Sequence, residues 1–301
     1  MVRVVLNLKS VKKQYERNMA LNDISLNFSR GKCYGLVGPN GAGKTTLLKI
    51  ISSIIQDFDG SLTFTDSPRA KSKELIGYIP QEICLEETVT AWDNLSFFGK
   101  IYGLKGQTLK LRINEVLNDI GLTDKAKHKV STYSGGMKRR LNIGCALLHT
   151  PDLIILDEPT VGIDPQSRRY IFNMIEKLKE HGCTIIYASH YMEEIEQICD
   201  EAIFIDKGAI AENGRVDELL QRYAIPSIYL KGENCLPKEN GDFTISPKKE
   251  GHLILTESPL LAMEHVINHC KTHAVQPEQL ELSQARLEDV FFSLTGSQLR
   301  D

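Results

Sequence analysis

The sequence predicts an α/β fold with a helical insertion, followed by a small α+β domain. One observation behind this prediction is that short strand-like segments alternate with helix-like segments. Another is the bare apolar run Leu153–Leu156, which is typical of a parallel strand buried on both faces. A third is a change near residue 222, where the sequence becomes rich in Pro, Gly and Lys. We therefore place one domain at residues 1–222 and a second at residues 223–301.

Short apolar and β-branched segments define the strands of the first domain. We predict them at Val2–Leu8, Ile24–Phe28, Cys33–Val37, Leu75–Ile79, Leu153–Leu156, Thr184–Ala188 and Ala202–Asp206. Between about residues 82 and 150 the apolar residues recur at helical spacing instead, and two of the helices end near a glycine. This stretch is predicted to form a helical subdomain.

In the second domain, PLLAMEHVINHCKTH predicts a helix, and QLELSQARLEDVFFSLTG predicts a strand followed by a helix. Four apolar residues share one face of the last helix: Leu287, Val290, Phe291 and Leu294. We favour burial of this face over a docking role. The function of this domain stays open at the level of sequence.

Composition narrows the class of protein. A net charge of −3 carries no basic excess, which argues against nucleic acid as a partner. The seven cysteines stand singly and form no CxxC pair, so we expect neither a disulfide framework nor a zinc site, and a reducing cytoplasm is the simplest location. No apolar run approaches the roughly 18 residues of a membrane span. The chain can still dock on a membrane protein.

The segment GPNGAGKT matches the phosphate-loop pattern GxxxxGK[ST], between a predicted strand and a predicted helix. Its glycines let successive N–H groups point at phosphate oxygens, and the helix N-terminus adds partial positive charge. Lys44 is expected to reach the β- and γ-phosphates, and the Thr45 hydroxyl to hold Mg²⁺. The alternative is a glycine-rich turn without function. The candidate nucleotide-binding residues here are Gly38, Pro39, Asn40, Gly41, Ala42, Gly43, Lys44, Thr45 and Thr46.

Two acids follow the buried run in LIILDEPT. Asp157 stands at the carboxyl end of the predicted strand, where parallel sheets place ligand groups, and is expected to bind Mg²⁺. Glu158 is expected to polarise the attacking water. The alternative is a strand that runs into an acidic turn, which the nearby phosphate loop makes the weaker interpretation.

The segment STYSGGMKRRL forms a second candidate anion site. Ser134, Gly135 and Gly136 stand directly before a helix with basic residues, so a hydroxyl and free N–H groups meet at a helix N-terminus. Taken alone, an N-cap serine with a glycine turn explains these residues equally well.

Together these motifs resemble the ATP-binding subunit of an ABC transporter, over roughly residues 2–222. Seven motifs occur in the family's order, and the complete set is far more specific than any one of them. Tyr133 and Met137 depart from the family's usual Leu and Gln around the Ser-Gly-Gly core. The motif residues are Tyr15, the phosphate loop, Gln81 in GYIPQE, YSGGMKRR, LIILDE, Asp164 in GIDP and His190 in YASH.

The resemblance implies a P-loop NTPase of the ABC type, with a mixed sheet core and a helical subdomain, that uses ATP and Mg²⁺. It implies adenine stacking on Tyr15 and a γ-phosphate contact from His190. Gln81 would link the phosphate or Mg²⁺ to a membrane subunit, and Asp164 would lie at a dimer interface. Each ATP would lie between two copies, with Ser134, Gly135 and Gly136 of one closing over the γ-phosphate held by the other. The implied catalytic residues are Glu158, His190, Lys44 and Gln81, and the implied Mg²⁺ ligands are Thr45, Gln81 and Asp157.

In function, the resemblance implies a subunit that powers export, of the drug or antibiotic type, through a separate membrane permease. It would lie at the inner face of the cell membrane without binding nucleic acid. The main alternative is a non-transport ABC-type ATPase that acts on nucleic acid or the ribosome. Against it stand the single cassette, the lack of a long coiled-coil insertion and the lack of CxxC pairs. A GTPase or kinase is disfavoured because no NKxD-like segment is present.

Overall fold

The structure, a computed structural model, describes residues 4–16, 18–64, 75–223, 226–238, 241–248, 250–283 and 286–295. The chain divides into two compact units between Val216 and Asp217. The boundary expected at residue 222 lies inside a helix, Val216–Tyr223, that crosses this division.

The first unit alternates strands and helices along the chain. Its strands are β1 (Val4–Tyr15), β2 (Asn18–Ser29), β3 (Cys33–Val37), β4 (Asp59–Phe64), β5 (Ile76–Ile79), β6 (Leu153–Asp157), β7 (Thr184–Ala188), β8 (Glu201–Asp206) and β9 (Ala209–Arg215). Its helices are α1 (Lys44–Ile51), α2 (Ala91–Ile101), α3 (Gly106–Asp119), α4 (Gly135–Leu147), α5 (Pro165–Glu180), α6 (Met192–Ile198) and the boundary helix α7 (Val216–Tyr223).

A six-stranded sheet forms the centre of this unit, with strand order β5-β6-β7-β3-β8-β9. The first five strands run parallel and β9 is antiparallel to β8. Every residue of β3, β6 and β7 is buried, which explains why their sequences are continuous apolar runs without alternation. The mixed sheet of the predicted α/β fold is therefore confirmed.

A separate antiparallel sheet has the order β2-β1-β4. Strand β1 is longer than expected, because it continues past Leu8 to Tyr15; Val2 of the predicted segment lies outside the described residues. The inward-facing Lys13 hides this continuation in the sequence. Its ammonium donates to the Asp57 backbone oxygen at 2.6 Å and lies 3.0 Å from the Asp57 carboxylate. A buried lysine needs such partners.

Strands β4 and β9 do not appear among the strands predicted from the sequence. Both strands consist of exposed and half-buried residues, so they carry few of the apolar residues that mark a strand. Between β5 and β6 the chain forms α2, α3 and α4, and two 3₁₀ turns, Thr123–Lys125 and Val130–Thr132, lie between α3 and α4. Helix α2 begins with a capping box, in which Thr90 and Asp93 each accept from the other's backbone N–H.

The second unit contains an antiparallel sheet with the order β11-β12-β10-β13. Ile228, Ile254, Phe243 and Val266 lie in its buried core, so the α+β character expected from the sequence is present. Leu287, Val290 and Phe291 of the last helix are buried and Leu294 is partly exposed. Its elements are β10 (Ser227–Lys231), β11 (Thr244–Lys248), β12 (Gly251–Leu255), α8 (Pro259–Thr272), β13 (Gln279–Ser283) and α9 (Leu287–Thr295).

Candidate functional site

The order of the central strands brings four of the sequence motifs to one edge of the sheet. Gln81 follows β5, Asp157 ends β6, His190 follows β7 and the phosphate loop follows β3, and these four strands are neighbours in that order. Carboxyl ends of parallel strands share an edge, and ligands of open α/β sheets bind there. The sheet topology thus explains how residues far apart in the chain can form one site.

The phosphate loop occupies the turn from β3 to α1. Gly43 has a φ of +107°, and a Cβ there would lie 2.6 Å from the Ala20 backbone oxygen, so only glycine fits. No side chain caps the N-terminus of α1, which leaves its first N–H groups available to an anion. The loop therefore has the geometry that phosphate binding requires.

Lys44 points back into this loop. Its ammonium donates to the backbone oxygens of Gly38 at 2.6 Å and Pro39 at 3.2 Å, and the side chain is 6% exposed. Burial lowers the pKa of Lys44, whereas the charges of Glu158 and Asp157 raise it. The ammonium is thus held among main-chain oxygens, close enough to both acids for their charges to act on it.

The two acids after β6 differ in burial. Asp157 is 4% exposed. Its pKa is raised mainly by burial and also by the nearby charge of Glu158, and a hydrogen bond from Thr45 opposes this rise. The structure therefore joins two of the three residues predicted to hold Mg²⁺, Thr45 and Asp157. Glu158 has a φ of +47°, in the left-handed region that costs a non-glycine residue about 1–2 kcal/mol. This strained residue is the one predicted to polarise the attacking water.

His190 and Glu158 contact each other directly. His190 Nδ1 lies 3.2 Å from Glu158 Oε1, and the two side chains are 31% and 12% exposed. The Glu158 backbone N–H also donates to the Ala188 oxygen at 3.0 Å, which fixes the end of β6 to the end of β7. The pair therefore has a partly shielded position and a defined orientation.

Gln81 is exposed, and its main chain is held by a residue that sequence analysis did not select. The guanidinium of Arg139, which is 4% exposed, donates to the Pro80 oxygen at 2.9 Å and to the Gln81 backbone oxygen. Arg139 lies on α4, so the helix that begins with the Ser-Gly-Gly motif is tied to the Gln81 loop. In sequence the arginine looks like one more basic residue beside an anion site.

At the start of α4, Ser134 is the N-cap, and its hydroxyl accepts from the Met137 N–H at 3.2 Å. Gly136 lies against α5, where a Cβ would come within 2.0 Å of the Ser167 hydroxyl oxygen. A Cβ added to Gly135 would instead meet no atom within 4 Å. The capping interpretation thus accounts for Ser134, and packing accounts for Gly136, but neither accounts for Gly135.

Asp164 and Tyr15 are both exposed. The Asp164 carboxylate caps α5 by accepting from the Ser167 N–H at 2.8 Å, and this backbone hydrogen bond lowers its pKa. Tyr15 ends β1 with 45% of its surface exposed, and the Lys13 ammonium lies 5.1 Å from its ring centroid. Their roles at a dimer interface and against adenine stay predictions.

Comparison with known proteins supports the same assignment. Residues 21–161 match the ABC transporter family. The linearmycin resistance ATP-binding protein LnrL of Bacillus subtilis (strain 168) is 38% identical over 99% of this chain and 100% of its own length. The chain belongs to the ABC transporter ATP-binding proteins. The Nod factor export ATP-binding protein I of Cupriavidus pinatubonensis is 34% identical over 99% of this chain and 92% of its own length.

Among solved structures, this ABC protein resembles a dimeric ATP-binding cassette in a post-hydrolysis state with ADP and Pi. The identity is 25% and the TM-score 0.62, over 70% of this chain and 98% of that one. The ABC-type fold, ATP binding and ATPase activity predicted from the sequence are therefore confirmed. No helix within the described residues is both long enough and apolar enough to span a membrane.

Proposed function

We propose that this ABC ATPase works as a head-to-tail pair of copies that powers export through a membrane permease at the cytoplasmic face. Each pair has two ATP sites, and in each site the phosphate loop of one copy and the Ser-Gly-Gly motif of the other enclose one ATP. The observation that carries the pairing is the unexplained glycine at position 135.

The chain's own fold does not require Gly135 to be glycine. Its φ is not in the left-handed region, and a Cβ would meet open space. Ser134 and Gly135, at the start of α4, are both exposed. A phosphate brought there by another molecule explains this combination, because a missing side chain permits the closest approach to backbone donors. The dimeric cassette described above also supports pairing.

Within one copy, each residue of the sheet-edge cluster has a distinct task. The Lys44 ammonium exchanges its two carbonyl partners for β- and γ-phosphate oxygens, a stronger charge-assisted contact. The Glu158 carboxylate orients the attacking water, and His190 holds that carboxylate and contacts the transferred phosphate. Closure by the second copy excludes water, which strengthens each of these interactions.

The donor set fits Mg²⁺. Thr45 offers a hydroxyl, Asp157 a carboxylate and Gln81 an amide oxygen, and hard oxygen ligands of this kind suit that ion. When bound, Mg²⁺ neutralises negative charge on the phosphates. Burial, and then the charge of Glu158, raise the pKa of Asp157, and the charges of Lys44 and Lys49 oppose this rise.

The export role rests on the relatives and on one surface. The relatives are named for linearmycin resistance and Nod factor export, so we infer export of a small molecule rather than uptake. Helix α2 exposes Phe97 (62%) and Ile101 (61%), one turn apart. Two adjacent exposed apolar side chains suit a protein partner, and their place in the helical subdomain next to the Gln81 loop suits transmission of movement.

The trans arrangement predicts complementation between two inactive chains. Gly135→Asp puts a bulky carboxylate where the partner's phosphate approaches, so we expect ATPase activity to fall at least about tenfold through charge repulsion. Lys44→Ala disables the phosphate loop instead. A mixed pair has one composite site with an intact loop and an intact motif, so mixing the chains should restore activity, up to roughly a quarter of the parent's with random pairing.

Steady-state phosphate release, measured for each variant alone and for the mixture, tests this arrangement. The melting temperature of Gly135→Asp serves as the folding control and should stay close to the parent value, since the site is open. A mixture no more active than the sum of its parts would contradict the shared site.

The permease interaction predicts a selective loss of binding. A candidate permease, a membrane protein encoded beside this chain's gene, is co-expressed with it. The double variant Phe97→Ser, Ile101→Ser should then lose co-purification with the permease, because the apolar contact is lost, while basal ATPase activity persists. Ile54→Ser, which alters another exposed apolar residue (57%), is the matched control. If the double variant still co-purifies with the permease, Phe97 and Ile101 do not form the permease contact. Failure of the parent to retain any membrane protein would favour the non-transport alternative.

A further inference from the structure

A buried carboxylate that no sequence motif includes lies behind the site. Glu194, on α6, is 3% exposed. Its Oε2 accepts hydrogen bonds from the hydroxyls of Thr160 and Tyr187, each at 2.8 Å, and of Ser189 at 3.0 Å. Its Oε1 makes no hydrogen bond and faces the Arg168 guanidinium nitrogen Nε at 3.4 Å. Three hydroxyls and one cation thus converge on a single buried acid.

These partners belong to the segments that carry the proposed catalytic residues. Thr160 lies two positions after Glu158, in the loop that follows β6. Ser189 lies directly before His190, and its hydroxyl also accepts from the Tyr191 N–H at 3.0 Å. Backbone bonds hold the start of each loop, from the Glu158 N–H to the Ala188 oxygen at 3.0 Å and from the Ser189 N–H to the Leu36 oxygen at 3.3 Å. The side chains of the two loops must in addition hold the 3.2 Å contact between Glu158 and His190. One carboxylate fixes both.

A third segment reaches the same acid. Arg168 lies on α5, one turn after the N-cap Asp164, and its backbone N–H donates to the Asp164 oxygen at 3.0 Å. Its guanidinium carbon also lies 5.9 Å from the Tyr191 ring centroid. The contact with Glu194 at 3.4 Å lacks hydrogen-bond geometry, so it is the loosest link of the network. The start of α5 lies against Gly136, in the surface proposed to face the second copy.

We propose that Glu194 is a positioning residue, which sets the Glu158–His190 pair through Thr160 and Ser189 and connects it to the start of α5 through Arg168. This inference rests on the catalytic roles proposed above for Glu158 and His190. One oxygen of the Glu194 carboxylate accepts all three hydroxyl bonds, and the other oxygen faces Arg168. The shape of the carboxylate therefore fits the hydroxyls, and its charge attracts the arginine. Glutamine keeps the shape and removes the charge, which loosens the link to Arg168 and weakens each hydroxyl bond.

Turnover should therefore suffer more than binding. In Glu194→Gln we expect kcat for ATP to fall roughly tenfold or more, because small displacements of reacting groups are costly. We expect KM to change by no more than about twofold, because the phosphate loop is untouched. The isosteric Thr160→Val should lower kcat in the same direction by a smaller factor. Glu193→Gln, at the exposed neighbouring residue, should leave both constants unchanged.

Thr184→Val separates positioning from stability. Thr184 is fully buried at the opposite end of β7, and its hydroxyl bonds the Ser29 oxygen and the Gly31 N–H, each at 3.2 Å. Thr184→Val should lower the melting temperature about as much as Thr160→Val does, but its kcat should equal that of the parent. Equal loss of kcat in both threonine variants, or an unchanged kcat in Glu194→Gln, would overturn the proposal.

A double-mutant cycle distinguishes this failure from failure of the proposed function. Positioning predicts that Glu194→Gln lowers single-turnover hydrolysis much less in a His190→Ala background than in the parent, because the pair it sets is already broken. An equal loss of single-turnover hydrolysis in both backgrounds would contradict the positioning role of Glu194 and leave the proposed function intact. Full activity of His190→Ala would instead remove His190 from the proposed function.

Discussion

Glu158→Gln is expected to keep ATP binding while lowering kcat by roughly 10²–10⁴-fold, the usual contribution of a general base. The carboxylate loses the charge that attracts a proton from water, but its size and its neighbours stay the same. The strained backbone at position 158 aims this side chain at His190, 3.2 Å away, and glutamine can keep that contact. Because ATP stays uncleaved, the paired state should accumulate.

Size-exclusion chromatography with ATP should therefore show Glu158→Gln as a dimer under conditions in which the parent elutes as a monomer. Glu180→Gln, at the exposed end of α5, is the matched control and should behave like the parent in both assays. Near-normal turnover by Glu158→Gln would remove Glu158 from its proposed role. A dead variant that stays monomeric with ATP would leave the base in place and contradict the shared site.

Much of this site can be predicted from the sequence because its parts lie at the ends of strands. Apolar runs locate β3, β6 and β7, and the residues that follow them, Lys44, Glu158 and His190, are polar types with a clear chemistry. Parallel strands bring such ends to one edge. Apolar runs do not predict the strand order β5-β6-β7-β3, which makes the strand before Gln81 the neighbour of the strand that ends at Asp157. Gln81 itself was selected by the family resemblance, not by periodicity.

The supporting residues could not be predicted in this way. Arg139, Glu194 and Lys13 are charged residues on helices or strands, and in sequence each resembles an ordinary solvated side chain. Their burial depends on partners far along the chain: the Gln81 loop for Arg139, Thr160 for Glu194 and Asp57 for Lys13. Tertiary contacts of this kind leave no local periodicity. They also explain why the length of β1 was underestimated.

Lys44→Ala should weaken ATP binding by about 10–100-fold, the equivalent of a lost hydrogen-bonded charge worth roughly 1.5–3 kcal/mol. The ammonium is already desolvated, with burial lowering its pKa, so it meets a phosphate without a further loss of hydration. Titration with a fluorescent ATP analogue measures the change. Lys177→Ala, on the exposed surface of α5, is the matched control and should bind ATP like the parent.

The melting temperature without nucleotide needs to be measured too, because Lys44 also donates to the backbone oxygens of Gly38 and Pro39 in the protein alone. A folded Lys44→Ala protein that binds ATP with the parent's affinity would show that the phosphates bind elsewhere. The assignment of the phosphate loop would then fail, and the shared site and the paired mechanism, which depend on it, would fail too.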